Sequence, residues 1–273
     1  MTFNISIEGS IASGKSSVIK ELQKLAKHDT WKFYPEKVDE WKRLGPRRIN
    51  LLKMFYQNPG RYALPLQTQV MISKAEQMGN AMKDYSNQIS VFERTFESSA
   101  EVFAKANPLF GEVERTVSQG LSDFLTGSLD LGSEVIIFLE TTPEKCLDRI
   151  SKRDRPEERK VDLNYLENLH DHYTAFISKS KIPVRTIKVD QPEKSVEEVA
   201  KEAYKLIKSM YEEITDSSTG SVAFLYAKYP PNFRHHDERP SECELPRSPN
   251  TSTEVVPEIE GENIGRNLMI IEG

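Results

Sequence analysis

The chain has 273 residues, a mass of 31.2 kDa and a formal charge of −5 at pH 7. That length holds one α/β domain with a segment to spare, and the acidic balance argues against a nucleic-acid partner held by backbone electrostatics. No run approaches the roughly eighteen apolar residues of a membrane span, so no membrane partner is expected. Cys146 and Cys243 give neither zinc spacing nor a disulfide framework, which fits a reducing compartment.

A short apolar strand over Phe3, Ile5 and Ile7 opens the chain, so no signal or transit peptide is expected and the cytoplasm is the default location, a nuclear one being equally compatible. Residues 9–16, Gly-Ser-Ile-Ala-Ser-Gly-Lys-Ser, then complete the pattern GxxxxGK[ST], and Val18, Ile19, Leu22 and Leu25 follow at helical spacing. In a strand–loop–helix context, consecutive backbone N–H groups form a concave donor array suited to a phosphate. Gly9, Ser10, Ala12, Ser13, Gly14, Lys15, Ser16 and Ser17 are therefore the expected nucleotide-binding residues. Lys15 can reach the β/γ oxygens and Ser16 can ligate Mg²⁺. ATP and Mg²⁺ are the implied cofactors.

A second strand over 31–34 ends near Glu36. Ligands of open α/β sheets collect at the carboxyl ends of strands, so a carboxylate there could deprotonate a hydroxyl that attacks a phosphate. Read alone, a Glu at a strand end is usually a solvated turn residue. Helical stretches over 47–57 and 62–84 lead to a third strand over 88–92, directly followed by Glu93-Arg94. Glu93 could help to hold Mg²⁺ through water, and Arg94 could clamp the acceptor oxygen and the phosphoryl group in flight. A local ion pair at a helix start is the bland alternative.

Helix over 97–125, strand over 134–139 and helix over 143–152 come next. Arg149, Arg153 and Arg155, with Glu158, then place three guanidiniums near a helix end and its loop. No apolar residue interrupts 151–160, so this stretch is expected to be exposed and to act as a lid over ATP phosphates. A helix over 162–178, a strand over 184–189 and a helix over 195–213 finish the pattern, the last with Ser195 as N-cap and Glu198 three residues on. Strands alternating with helices imply an α/β fold, a five-stranded parallel sheet with helices on both faces. From Thr215 onward ten acidic residues face five basic ones, so residues 1–214 are formally neutral. Residues 215–273 are expected to be an acidic, Pro/Ser-rich extended tail outside the domain.

With these segments in view, the chain resembles the deoxyribonucleoside kinase family of P-loop kinases. The resemblance is carried by IEGSIASGKSS, YPEKVDEW, NLLKMFYQNPGRYALPLQTQV, FERT, RISKRDRPEE and DLNYLENLHDHY, in family order over roughly residues 3–190. It implies ATP-dependent phosphorylation of a deoxyribonucleoside 5′-hydroxyl and a homodimer joined through helices. It also implies Glu36 as general base and Arg94 beside the same oxygen. Trp41, Ile11 and Val70 would line the base pocket, Gln67 would pair with the base edge, Phe103 would stack on it, and Tyr56 with Glu158 would grip the sugar 3′-hydroxyl. Arg149, Arg153 and Arg155 would be lid arginines.

Two positions depart from the family's common forms. Lys74 stands where deoxycytidine- and purine-preferring members carry arginine and thymidine-accepting ones methionine. Ser99 stands where the first group carries aspartate and the second alanine. Glu-Pro-Val is altered to Glu36-Lys37-Val38. Lys74 cannot copy arginine's planar fork, and Ser99 leaves room for a thymine methyl. The expected substrate is thus a pyrimidine deoxynucleoside, thymidine first, with deoxycytidine or a purine deoxynucleoside as the alternative. A nucleoside-monophosphate or small-metabolite kinase of the same fold and a non-catalytic relative that binds a partner through the acidic tail are the rival readings.

Overall fold

The computed structural model describes residues 3–84, 88–128, 133–155, 158–159 and 161–216. Five strands, β1 (Phe3–Glu8), β2 (Trp31–Tyr34), β3 (Ile89–Glu93), β4 (Val135–Glu140) and β5 (Val184–Lys188), form one parallel sheet in the order β2-β3-β1-β4-β5. The first strand is central: Ile5 lies beside Val91 on one side and Val135 on the other. The sheet is parallel because every crossover runs through helix, and both faces are therefore covered.

The period of two along each strand divides the core. Ile5, Ile7, Val91, Ile137 and Leu139 pack on the face that carries α1 (Lys15–Leu25) and, far later in the sequence, α9 (Val196–Asp216), through Val18, Leu22, Ala203 and Ile207. Ile136 and Phe138 point the other way, into Leu169, Tyr173 and Phe176 of α8 (Leu163–Lys179). On that same side Phe92 meets Met71 and Met78 of α4 (Pro59–Met82). Among the described residues no helix is long and apolar enough to cross a membrane.

Local chemistry sets the helix ends. Ser195 and Glu198 close a capping box: the Ser195 N–H donates to the Glu198 carboxylate at 2.8 Å, and the Glu198 N–H donates to Ser195 Oγ at 3.2 Å. The helix expected over 47–57 begins only at Leu51, as α3 (Leu51–Gln57), after the short α2 (Val38–Trp41). A turn occupies the earlier residues, with Gly45 and Arg48 at positive φ and Leu44 bridged to Ile49. Asn50 then caps α3 by accepting from the Lys53 N–H at 2.8 Å.

The helix expected over 97–125 is instead broken. A single turn, α5 (Phe96–Ser98), widens into a π-helical segment, Ser99–Ala104, and α6 (Glu112–Asp123) follows beyond Asn107-Pro108. Proline lacks the N–H that a continuous helix needs there, and it disfavours helical geometry at the residue before it. Helix α7 (Pro143–Arg153) ends at Asp154, which is left-handed with φ 41°. The expected tail falls, apart from Thr215 and Asp216 at the end of α9, outside the described residues.

Candidate active site

Between β1 and α1 the chain must turn within a few residues and still expose its N–H groups. Gly9, at φ 151°, makes this possible: a Cβ there would lie 2.6 Å from Ser13 Oγ and 2.9 Å from the Leu139 carbonyl. Gly14, at φ 101°, is the residue from which α1 starts. Lys15 folds over its own loop, donating to the carbonyls of Gly9 at 2.9 Å and Ser10 at 2.7 Å. Burial, reinforced by the nearby Arg94 charge, pushes its ammonium down to about 8. The carboxylates of Glu93, Glu36 and Glu8 act the other way without restoring the ordinary value.

Two cavities meet beside the loop. A polar one of about 650 Å³ is lined by Ile11 to Ser17, Glu93 and the three arginines Arg149, Arg153 and Arg155. A largely apolar one of about 340 Å³ lies under α3, α4 and the π-helical segment, with Gln67, Val70, Ser99 and Phe103 in its wall. Ile11, Glu36, Trp41, Tyr56 and Arg94 line both. The shared wall thus contains a carboxylate and a guanidinium, joined by an ion pair of 2.8 Å from Arg94 Nε to Glu36 Oε1. Burial raises the Glu36 pKa above the ordinary carboxylate value, and Arg94 opposes that rise without cancelling it.

The neighbouring contacts fix these groups. Glu93 ends β3, and its carboxylate accepts from Ser16 Oγ at 2.9 Å and from the Glu36 N–H at 3.3 Å. A hydroxyl and a carboxylate oxygen side by side suit a hard cation that takes its remaining ligands from phosphate and water. Among the described residues no cluster of three His, Cys, Asp or Glu side chains could hold a metal without such help. The Trp41 indole N–H donates to Ser73 Oγ at 2.8 Å, so its ring is held as a wall. The Gln67 amide nitrogen donates to the Ser99 carbonyl. Gly9 and Ser10 contribute carbonyls to Lys15 and do not line either cavity.

Three expectations need correction. Lys74 does not line either cavity; its ammonium is buried, donates to the Glu93 carbonyl at 2.7 Å and lies 5.6 Å from the Phe92 ring centre. Burial pushes it down to about 8, and a backbone carbonyl is the partner that such a point charge requires. Glu158 is buried, not exposed: its carboxylate accepts from Arg153 at 2.6 Å and Arg155 at 3.4 Å. It lines the polar cavity, whose wall it shares with Tyr56. Arg149 is half-buried and donates to the loop carbonyls of Ala12 at 3.4 Å and Ser13 at 3.1 Å, while Arg153 and Arg155 are exposed.

Sequence reasoning also missed residues behind the wall. Glu8, Thr95 and Tyr173 form a buried polar chain to Arg94, and Tyr165 joins the apolar cavity. Burial pushes the Tyr165 phenol up to about 12. Tyr165 and Tyr173 lie eight residues apart on α8, a spacing that puts both on one face, and that periodicity is the signal that could have found them.

A family model described as deoxynucleoside kinase matches residues 5–219, which takes in both cavities and all of the sheet but the first two residues of β1. The chain belongs to the deoxynucleoside kinase family. It is therefore a phosphotransferase acting on deoxyribonucleosides. Among its relatives, deoxycytidine kinase 2 of Gallus gallus is 32% identical over 208 residues, covering 68% of this chain and 76% of its own. Deoxycytidine kinase of Homo sapiens is 30% identical, covering 68% of this chain and 84% of its own. The mitochondrial deoxyguanosine kinase of Xenopus laevis is 29% identical, with 66% and 75% covered.

Proposed function

We propose that this kinase transfers the γ-phosphoryl group of ATP to the 5′-hydroxyl of deoxycytidine or a purine deoxynucleoside, ahead of thymidine. The observation that carries the phosphoryl-transfer reading is the shared wall, where Glu36 and Arg94 border both cavities. A nucleoside in the apolar cavity would present its hydroxyl to Glu36, which takes the proton as oxygen attacks phosphorus. Once Glu36 is neutralised by that proton, the Arg94 charge it had balanced is released toward the transferring group. Loop N–H groups from Ala12 to Ser17 and Lys15 would hold the triphosphate. Mg²⁺, held by Ser16 and through water by Glu93, would neutralise phosphate charge there.

The nucleoside preference departs from the thymidine expectation. That expectation used Lys74, which is turned toward the Glu93 carbonyl and away from the cavity, so only Ser99 still speaks for thymidine. The relatives named above are deoxycytidine and deoxyguanosine kinases, and they support the other reading. A kcat/KM panel over the four natural deoxynucleosides with ATP and Mg²⁺ tests it: deoxycytidine or a purine deoxynucleoside should exceed thymidine, and a thymidine maximum overturns the preference. The ratio is the quantity to score, since specificity is a difference between transition-state free energies. The homodimer reading rests on Val113, Val117, Phe124 and Ile72, exposed apolar side chains of the α4 and α6 layer. Sedimentation of the same preparation as a 31.2 kDa species would remove it.

In the lid reading, Glu158 occupies Arg153 and Arg155 until phosphates or a sugar hydroxyl compete for them. Arg153→Ala should lower turnover by about tenfold or more, as expected for one lost phosphate donor in a closing site. Nucleoside affinity measured without ATP should stay nearly unchanged. An equal fall in that affinity would make Arg153 a structural or nucleoside contact.

A further inference from the structure

Arg94 is held in an unusual way for a residue that must present charge to a reacting group. Its backbone is left-handed, φ 68°, a conformation that costs energy in a residue with a long side chain. Neighbouring strands hold that turn: the Arg94 N–H donates to the Ile7 carbonyl at 2.9 Å, and Ser6 Oγ donates to the Arg94 carbonyl at 2.9 Å. The next residue is held by Glu8, whose Oε1 accepts from the Thr95 N–H at 2.6 Å and from Thr95 Oγ1 at 3.0 Å.

The same carboxylate reaches the side chain through an intermediary. Tyr173 donates its phenolic proton to Glu8 Oε2 at 3.1 Å and accepts from Arg94 Nη1 at 2.6 Å. Its ring is buried, packed on Phe138 at a centroid distance of 5.7 Å and edge-on to Phe103 at 6.0 Å. Phe103 in turn lies 4.4 Å from the Arg94 guanidinium carbon. Phe103 lines the apolar cavity, whereas Glu8 and Tyr173 line neither cavity and so have no direct access to a substrate.

We infer that Tyr173, with Glu8 behind it, is a positioning residue that aims the Arg94 guanidinium at the shared wall. This rests on the role given to Arg94 above. Arg94 Nη1 also donates to the Gly9 carbonyl at 3.2 Å, and a guanidinium joined only to that carbonyl and to Glu36 would lose its main charged partner whenever Glu36 takes a proton. The phenol keeps Nη1 in place through that change. A carboxylate in the same position would hold Arg94 as firmly but would neutralise the charge that the phosphoryl group requires. A phenol polarised by a carboxylate supplies direction and leaves most of the charge free.

Tyr173→Phe keeps the ring and removes only the hydroxyl. Its kcat should fall about 10–100-fold, as for a reacting group displaced by a fraction of an ångström to an ångström. The nucleoside KM should stay within about threefold, because the apolar cavity is untouched. The deciding arm is a double-mutant cycle with Arg94→Lys, whose point charge cannot reproduce the fork. In that background Tyr173→Phe should cost less than about threefold in kcat, since the residue it aims is already gone. A Tyr173→Phe enzyme within about twofold of wild type in kcat, or an equal loss in both backgrounds, overturns the inference. If Arg94→Lys itself turns over normally, the role of Arg94 fails and the inference falls with it. A slow Arg94→Lys beside a normal Tyr173→Phe removes only the inference. Should Tyr173→Phe not fold, Glu8→Gln, which keeps the side-chain shape, must show the same loss in kcat alone, and a loss confined to KM would count against the inference.

Discussion

Replacing Glu36 by Gln should lower kcat by about 10²–10⁴ while nucleoside binding is largely retained, the range for loss of a general base. The amide preserves the shape of the wall but has no lone pair basic enough to take the hydroxyl proton. The pH dependence provides an independent check. The base works as a carboxylate, so activity falls as pH drops through its pKa. Burial raises that pKa, and the acid limb of the wild-type profile should therefore begin above the ordinary carboxylate range. In Glu36→Gln this limb should disappear from the residual rate. Near-normal kcat in the variant rejects the assignment.

Lys15→Met should lower kcat by about 10²–10³, comparable to removal of one preorganised donor from a dry site. Methionine fills much of the volume of the lysine stem but leaves the carbonyls of Gly9 and Ser10 without the ammonium that now bridges them. Each carbonyl keeps a second donor, Arg94 Nη1 at 3.2 Å for Gly9 and the Ser13 N–H at 3.3 Å for Ser10, so the accompanying loss of stability should be only about 1 kcal/mol. Thermal unfolding measured alongside the kinetics separates the two effects. The nucleoside KM should move little, because Lys15 lines only the polar cavity. Turnover within a factor of ten of wild type at saturating ATP and nucleoside would show that the ammonium does not stabilise the transfer.

Local signals in the sequence carried most of the architecture. Strand β4 announces itself because a parallel strand buried on both faces is nearly continuously apolar, the partly buried edge strands β2 and β5 through their place between helical stretches, and the phosphate loop because its spacing admits few other structures. The turn at Gly45–Ile49 and the break at Asn107-Pro108 were harder to read. Helix-favouring residues flank both and mask the local breakers, Gly45-Pro46 and Pro108, at which the helices are interrupted. Within the site, Glu36, Arg94 and Gln67 were legible because each follows or lies within a recognisable segment. The orientation of Lys74 was not. Whether a lysine on α4 faces a cavity or a backbone carbonyl is set by the Glu93 end of β3, nineteen positions away. Glu8 and Tyr173, separated by 165 residues, meet only once the sheet is formed.

The strand order β2-β3-β1-β4-β5 divides the chain in another sense. Strands β2 and β3 bring Glu36, Glu93 and Arg94 to one half of the sheet, with α3, α4 and the π-helical segment enclosing the apolar cavity beside them. Strands β4 and β5 lead instead into α7 with its arginines and into Val189, Lys194 and Val196 on the polar side. Apart from Ile11, Val161 and Tyr165, the apolar cavity is lined from a single stretch, Glu36 to Phe110, while the polar cavity draws on the loop of β1, on residues between Pro35 and Arg94 and on residues beyond β4. A block exchange of that stretch between relatives would carry most of the apolar pocket with it, together with most of the wall that the two pockets share.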